Sequence, residues 1–178
     1  MKPPIHTSDM VHRFLAMALD EALAAKREGS QPAGAVIASA SGDLLSRGHN
    51  HVLATGDITA HAEIDALRQA GFAIHRGPPD GSWIMYVSAE PCFMCLGGII
   101  MSPIETIVFP LDSPVGSPVD IVRHSGYLPA RMARLAVVRE PDIEIRERSR
   151  ELLIEYYLVH DPDRARLLRN TKPPQDHP

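Results

Sequence analysis

Apolar residues recur at helical spacing early in the chain. Met10, Phe14, Met17, Ala18 and Leu23 mark one face of a helix over residues 7–29, with Ser8 or Asp9 as cap and Gly29, ahead of Pro32, as stop. The pattern then shortens to strands at residues 35–38 and 44–49, joined by the turn Ser41-Gly42-Asp43. Thr59 can cap a helix over 60–70 that ends at Gly71, and a loop rich in Gly, Pro and Asp covers 76–81. A third strand spans 83–88. Pro91 suits the first position of the next helix, over 92–101, which stops before Pro103. A fourth strand covers 104–109, and residues 110–129 read as loop with a short helix near 119–122. A fifth strand at 134–138 and a helix over 145–158 follow. From Asp161 the chain is polar, and 173–178 is expected to be disordered. No repeat or linker interrupts this order. It predicts a single α/β domain over 1–178, with a core at about 8–160, a polar tail, and a mixed sheet of about five strands with helices on both faces.

Composition narrows the partners. The 178 residues are 44% hydrophobic with a formal net charge of −4 and a pI near 6.1. That balance makes no electrostatic case for nucleic acid, although a local basic patch is compatible with it. The start of the chain lacks the apolar core of a signal peptide, and no run reaches the roughly 18 apolar residues of a membrane span. A soluble cytoplasmic protein is the expectation.

The two cysteines, Cys92 and Cys95, are too few and too close for a disulfide scaffold. Three residues apart at a helix start, they point to one face, where the helix dipole favours thiolate. With His61 they make three protein ligands for Zn²⁺ and leave a fourth tetrahedral position open, the mark of a catalytic rather than a structural site. Glu63, two residues after His61, is a carboxylate placed to move protons. Two other readings compete. A thioredoxin-like redox pair needs no upstream His-x-Glu, and a closed zinc knuckle needs a fourth ligand, whereas none of the other eight histidines sits in a comparable pair. H-x-E followed by P-C-x-x-C is the signature of zinc deaminases, whose Glu is the acid and base and not a ligand.

The chain resembles the cytidine-deaminase superfamily, in its branch of nucleobase and tRNA adenosine deaminases, from about Ser8 to about Tyr157. The stretches that carry this are Ala33-Gly34-Ala35-Val36-Ile37, Gly48-His49-Asn50, Thr59-Ala60-His61-Ala62-Glu63-Ile64 and Ser88-Ala89-Glu90-Pro91-Cys92-Phe93-Met94-Cys95. The resemblance implies a three-layer α/β/α fold, a metal between two helix starts, and a homodimer. It also implies substrate contacts from Asn50, Ala62 and Ser88. In that chemistry Glu63 protonates a ring nitrogen and then the departing ammonia.

Substrate class divides the resemblance. Gly48-His49-Asn50 and the run from Cys95 to Met101 look like free-base enzymes, although Ile100 and Met101 stand where guanine deaminases tend to carry an aromatic residue. The segment from Gly116 to Gly126 looks like tRNA adenosine deaminases. Their final helix usually ends in a basic run, whereas Tyr156-Tyr157 is here followed by Asp161-Pro162-Asp163, with arginines only at Arg164, Arg166 and Arg169. The balance favours a small nucleobase or nucleoside, with tRNA as the alternative. A non-catalytic zinc-binding module is a third reading, opposed by the presence of Glu63.

Overall fold

The computed structural model describes residues 7–78, 82–124 and 132–170. Five strands form one sheet in the order β2-β1-β3-β4-β5: β1 (Gly34–Ser39), β2 (Leu44–His49), β3 (Trp83–Val87), β4 (Ile104–Phe109) and β5 (Ala136–Arg139). β1 pairs antiparallel with both β2 and β3, whereas β3–β4 and β4–β5 are parallel. The sheet is mixed because the first connection is a tight hairpin, with Gly42 at φ 93°, while the later ones cross over through helices.

Every residue of β1 and β3 is buried, and the period of two divides them between two cores. Ala35, Ile37, Met85, Val87, Ile107 and Phe109 face one side and pack with residues of α3 (Ala62–Ala70) and α4 (Phe93–Met101). Val36, Ala38, Ile84, Tyr86 and Val108 face the other and pack against Val11, Phe14, Leu15 and Ala18 of α1 (Ser8–Arg27). This is the three-layer α/β arrangement that the alternation of strands and helices predicts.

Boundaries differ where capping differs. α3 begins at Ala62, not residue 60, because His61 is its N-cap. α4 likewise begins at Phe93 with Cys92 as N-cap, so Pro91 precedes the helix instead of opening it. Thr7, not Ser8 or Asp9, is the N-cap of α1. β5 lies at Ala136–Arg139, two residues later than its predicted start. The last long helix, α6 (Ile143–His160), starts early because the Asp142 carboxylate accepts the Ile145 N–H at 3.0 Å. A short α2 (Val52–Thr55) and a 3₁₀ turn (Gly71–Arg76) are additional, and α5 (Pro118–His124) is longer than predicted.

The largest departure is the polar tail. Residues 162–170 form α7 (Pro162–Asn170), which buries Ala165 and Leu168 against Leu111, Leu153 and Tyr157. Asp161 starts it: its carbonyl accepts from Ala165 at 3.1 Å and its side chain from Arg164 N–H at 3.1 Å. Pro162 follows at the position where its missing N–H is harmless. The predicted disordered end, 173–178, and parts of the predicted loops (79–81 and 125–129) lie outside the described residues. Among the described residues no helix is long and apolar enough to cross a membrane.

β2 and α3 meet at Gly48. A Cβ there would lie 2.3 Å from Ala66 N and 2.6 Å from the Ala62 carbonyl oxygen, both backbone atoms of α3. Gly48→Ala therefore forces the helix off the sheet and is expected to destabilise by about 1–3 kcal/mol or more, read as a fall of several degrees in thermal midpoint. Gly97→Ala, on α4 with open space around it, is expected to keep or raise the midpoint. Equal midpoints for the two variants would contradict this packing.

Candidate metal centre

The site is built from two helix beginnings. His61 and Cys92 are N-caps with extended backbone, at φ −76° and −70°, and neither side chain makes a capping hydrogen bond. Their carbonyls close the first turns, accepting from Asp65 and Leu96 at 2.8 Å each, so imidazole and thiol are left for another partner. Cys95 stands three residues into α4, on the same side as Cys92. Glu63 is the second residue of α3.

His61 Nδ1 lies 3.6 Å from Cys92 Sγ and 3.6 Å from Cys95 Sγ. The three ligand atoms fall within 4.8 Å of one another. Around a tetrahedral zinc, with Zn–S of about 2.3 Å and Zn–N of about 2.0–2.1 Å, nitrogen and sulfur stand about 3.6 Å apart. The donor set fits that ion in both chemistry and spacing.

The protonation balance points the same way. The hydrogen bond from Cys95, with help from His61, holds the Cys92 thiol down to about 4. That same bond to Cys92 and burial push Cys95 far up. His61 is raised chiefly by its contact with Cys92. Without a cation, one sulfur must keep its proton for the other to ionise; a divalent ion replaces that proton and lets both become thiolates. Glu63 is buried, and burial raises its carboxyl above the ordinary range.

His61, Glu63 and Cys92 line a cavity of about 350 Å³. Asn50 and Ser88 also line it. Asn50 is buried; its N–H donates to the Ala33 carbonyl at 3.1 Å and its Oδ1 accepts from Val52 N–H at 3.1 Å, which fixes its side chain. Ser88 Oγ accepts from Gly34 N–H at 3.1 Å. Ala62, expected to touch substrate, is outside the cavity's described lining. It is wholly buried in the core beside Ala66.

Four contributors were not predicted as site residues. Glu90, also raised by burial, accepts from Ser113 N–H (2.8 Å), Val119 N–H (3.2 Å) and the Ser117 hydroxyl, so it anchors the far wall. Leu153 and Tyr157 of α6 and Arg164 of α7 complete the wall. Arg164 donates to the Tyr157 hydroxyl at 3.0 Å and lies 5.0 Å over its ring. The Asp161-Pro162 cap was the available signal for that helix; nothing local to Arg164 marks it as a cavity residue.

The model of the cytidine and deoxycytidylate deaminase zinc-binding region matches residues 8–111. The chain belongs to that family. Zinc is accordingly the metal this deaminase uses. Its similarities extend to both expected branches. It is 38% identical over 109 residues to a tRNA-specific adenosine deaminase of Aquifex aeolicus, covering 61% of this chain and 71% of that one. A solved structure from studies of A-to-I editing by deaminases at the wobble position of transfer RNA superposes with a TM-score of 0.62. It shares 30% identity and covers 72% of this chain and 98% of its own. A guanine deaminase structure from Bacillus subtilis superposes at 0.51 with 31% identity, covering 65% and 69%.

Purified without chelator, the deaminase is expected to carry about one zinc per chain. Cys92→Ala combined with Cys95→Ala should bring metal content to background in elemental analysis. Retention of a full equivalent by that double variant would place the zinc elsewhere.

Proposed function

We propose that this deaminase removes the exocyclic amine of a free nucleobase or nucleoside by hydrolysis, with His61, Cys92 and Cys95 holding zinc and Glu63 moving the protons. Bound zinc supplies a water whose proton is lost near neutral pH. Glu63 accepts that proton and passes it to the ring nitrogen beside the amine-bearing carbon. It then carries the second proton to the amine, which leaves as ammonia; the ring carbon keeps the water's oxygen as a carbonyl. Burial suits Glu63 to this work, because a carboxyl held above its ordinary range holds a proton more readily than an exposed one. Asn50, its Oδ1 already held by Val52, turns its amide donors to an acceptor on the base, and Ser88 borders the same space.

The observation that carries the substrate class is the charge of the cavity. Its described lining holds three carboxylates, Glu63, Glu90 and Asp112, against one arginine, Arg164. Arg139, outside that lining, is tied to Asp112 at 2.6 Å and Asp120 at 3.0 Å. A stem-loop is gripped through its phosphates and needs a cluster of free cations at the mouth. A small base needs an enclosed, largely apolar space with a few polar contacts, which Val87, Leu153, Tyr157 and Asn50 support.

Adenosine-to-inosine conversion in tRNA is the second reading. Its support is specific: 38% identity to the A. aeolicus tRNA-specific adenosine deaminase and near-complete coverage of the wobble-editing structure. A homodimer is supported by Met94 and Met101, both exposed and seven residues apart on one side of α4.

Glu63→Gln is expected to retain zinc and the wild-type thermal midpoint while losing about 10²–10⁴-fold in turnover; near-full activity would remove Glu63 from the mechanism. An ammonia-release assay over free bases, nucleosides and an anticodon stem-loop, at low and moderate salt, should show turnover of a small substrate with little salt dependence. Salt-sensitive inosine formation in the stem-loop alone would establish the second reading instead.

A further inference from the structure

A second cluster of ligand atoms stands apart from the zinc site. His49, the last residue of β2, and His51, the N-cap of α2, meet Glu28 at the end of α1. Glu28 Oε1 is 3.2 Å from His49 Nε2, and Glu28 Oε2 is 3.0 Å from His51 Nδ1. Each imidazole has a further carboxylate behind it. His49 Nδ1 is 2.9 Å from Glu21, and His51 Nε2 is 3.4 Å from Asp65.

Both rings therefore have carboxylates at both nitrogens, which a neutral imidazole cannot satisfy: it has one N–H to donate, and its other nitrogen presents a lone pair to an anion. The two ring centroids are 3.9 Å apart, so both imidazoles share the Glu28 carboxylate at contact distance. The charge count is also short. Glu21, Glu28 and Asp65 face one guanidinium, Arg47, which is 2.7 Å from Glu21; with neutral rings the cluster lacks two positive charges.

We infer that Glu28, His49 and His51 form a second binding site, for a first-row divalent cation of the cobalt or nickel type. One ion supplies the two missing charges and receives His49 Nε2, His51 Nδ1 and the Glu28 carboxylate. The outer nitrogens then donate to Glu21 and Asp65, the carboxylate–histidine–metal arrangement that fixes a ring's tautomer and aim. Ligand atoms about 2.1 Å from a shared ion stand about 3.0–3.4 Å apart at octahedral to tetrahedral angles, which matches both contacts with Glu28. Imidazole and carboxylate without thiolate select a borderline ion over a soft one. Access is open, since the Glu28 side chain is 39% exposed and His51 27%. The ion would join the ends of α1 and β2 and, through Asp65, α3. Asn50 lies between its two histidine ligands, so the site braces the strand end that enters the zinc cavity. It depends on none of the substrate assignments above.

The test uses zinc-loaded full-length protein titrated with Ni²⁺, both metals being counted after gel filtration. One zinc and about one nickel per chain are expected, with a rise in thermal midpoint that scales with nickel concentration. Glu28→Gln and His51→Gln should each abolish the nickel equivalent and its midpoint shift while keeping the zinc and the circular dichroism of the parent. Asp65→Asn should weaken nickel binding about 10–100-fold. Absence of a second equivalent, or one that persists in both Glu28→Gln and His51→Gln, would overturn the site.

Discussion

The structure turns on two helix starts that leave their own capping atoms unused. An N-cap side chain ordinarily bonds the amides of the first turn. His61 and Cys92 decline that role, and the amides of their helices look instead toward a shared point where a nitrogen and two sulfurs gather within 4.8 Å. Exposed helix amides favour negative charge in front of them, which suits thiolates and a proton-carrying carboxylate. Everything else in the fold serves to hold α3 and α4 in register so that this convergence survives. Gly48 lets β2 approach α3 at backbone contact, and the parallel β3–β4 pair sets the crossover that delivers Cys92 to the sheet's end.

Burial organises the two faces of the sheet differently. The side toward α1 is largely apolar, with Phe14 and Tyr86 rings 5.0 Å apart and the Ser82 and Thr106 hydroxyls buried without a partner among the described residues. The side toward α3 and α4 carries the buried polar machinery, and several buried groups there are satisfied: Asn50 with Val52, Ser88 with Gly34, Ser46 with the Ala66 carbonyl at 2.8 Å, Glu90 with three donors. A low-dielectric site penalises polar atoms that are not satisfied in this way, and satisfaction also fixes where they point.

Sequence made the sheet, its hairpin and the candidate ligand cluster legible, because those rest on short-range signals: period-two runs, Gly42 in a turn, and His61, Glu63, Cys92 and Cys95 at helix-start spacing. The misses were of two kinds. At residues 61 and 92 the local pattern could not tell a capping residue from a first-turn residue, since the ligands themselves replace the usual caps. At residues 161–170 composition suggested solvent, but two positions, Ala165 and Leu168, are enough to seat a helix once Leu153 and Tyr157 offer a surface. Glu28 and the pair His49 and His51 are separated by more than twenty residues, so only the fold brings them together; a Gly-His-Asn motif directs notice to Asn50 and away from its neighbours.

The way Glu90 holds the wall of the cavity has a consequence for how this scaffold can diversify. Two of its three donors are main-chain amides, those of Ser113 and Val119. Any residue except proline supplies the same donor, so the side chain of Ser113 can be exchanged without loosening the anchor, whereas Val119 is also buried in the core and the hydroxyl of Ser117 is a side-chain requirement. The segment is thus held in part by its backbone, while Ser113, Pro114 and Val115, which line the cavity and are not buried, remain open to variation. A lineage can retune what the cavity admits by point substitution there, leaving the metal-binding helices untouched.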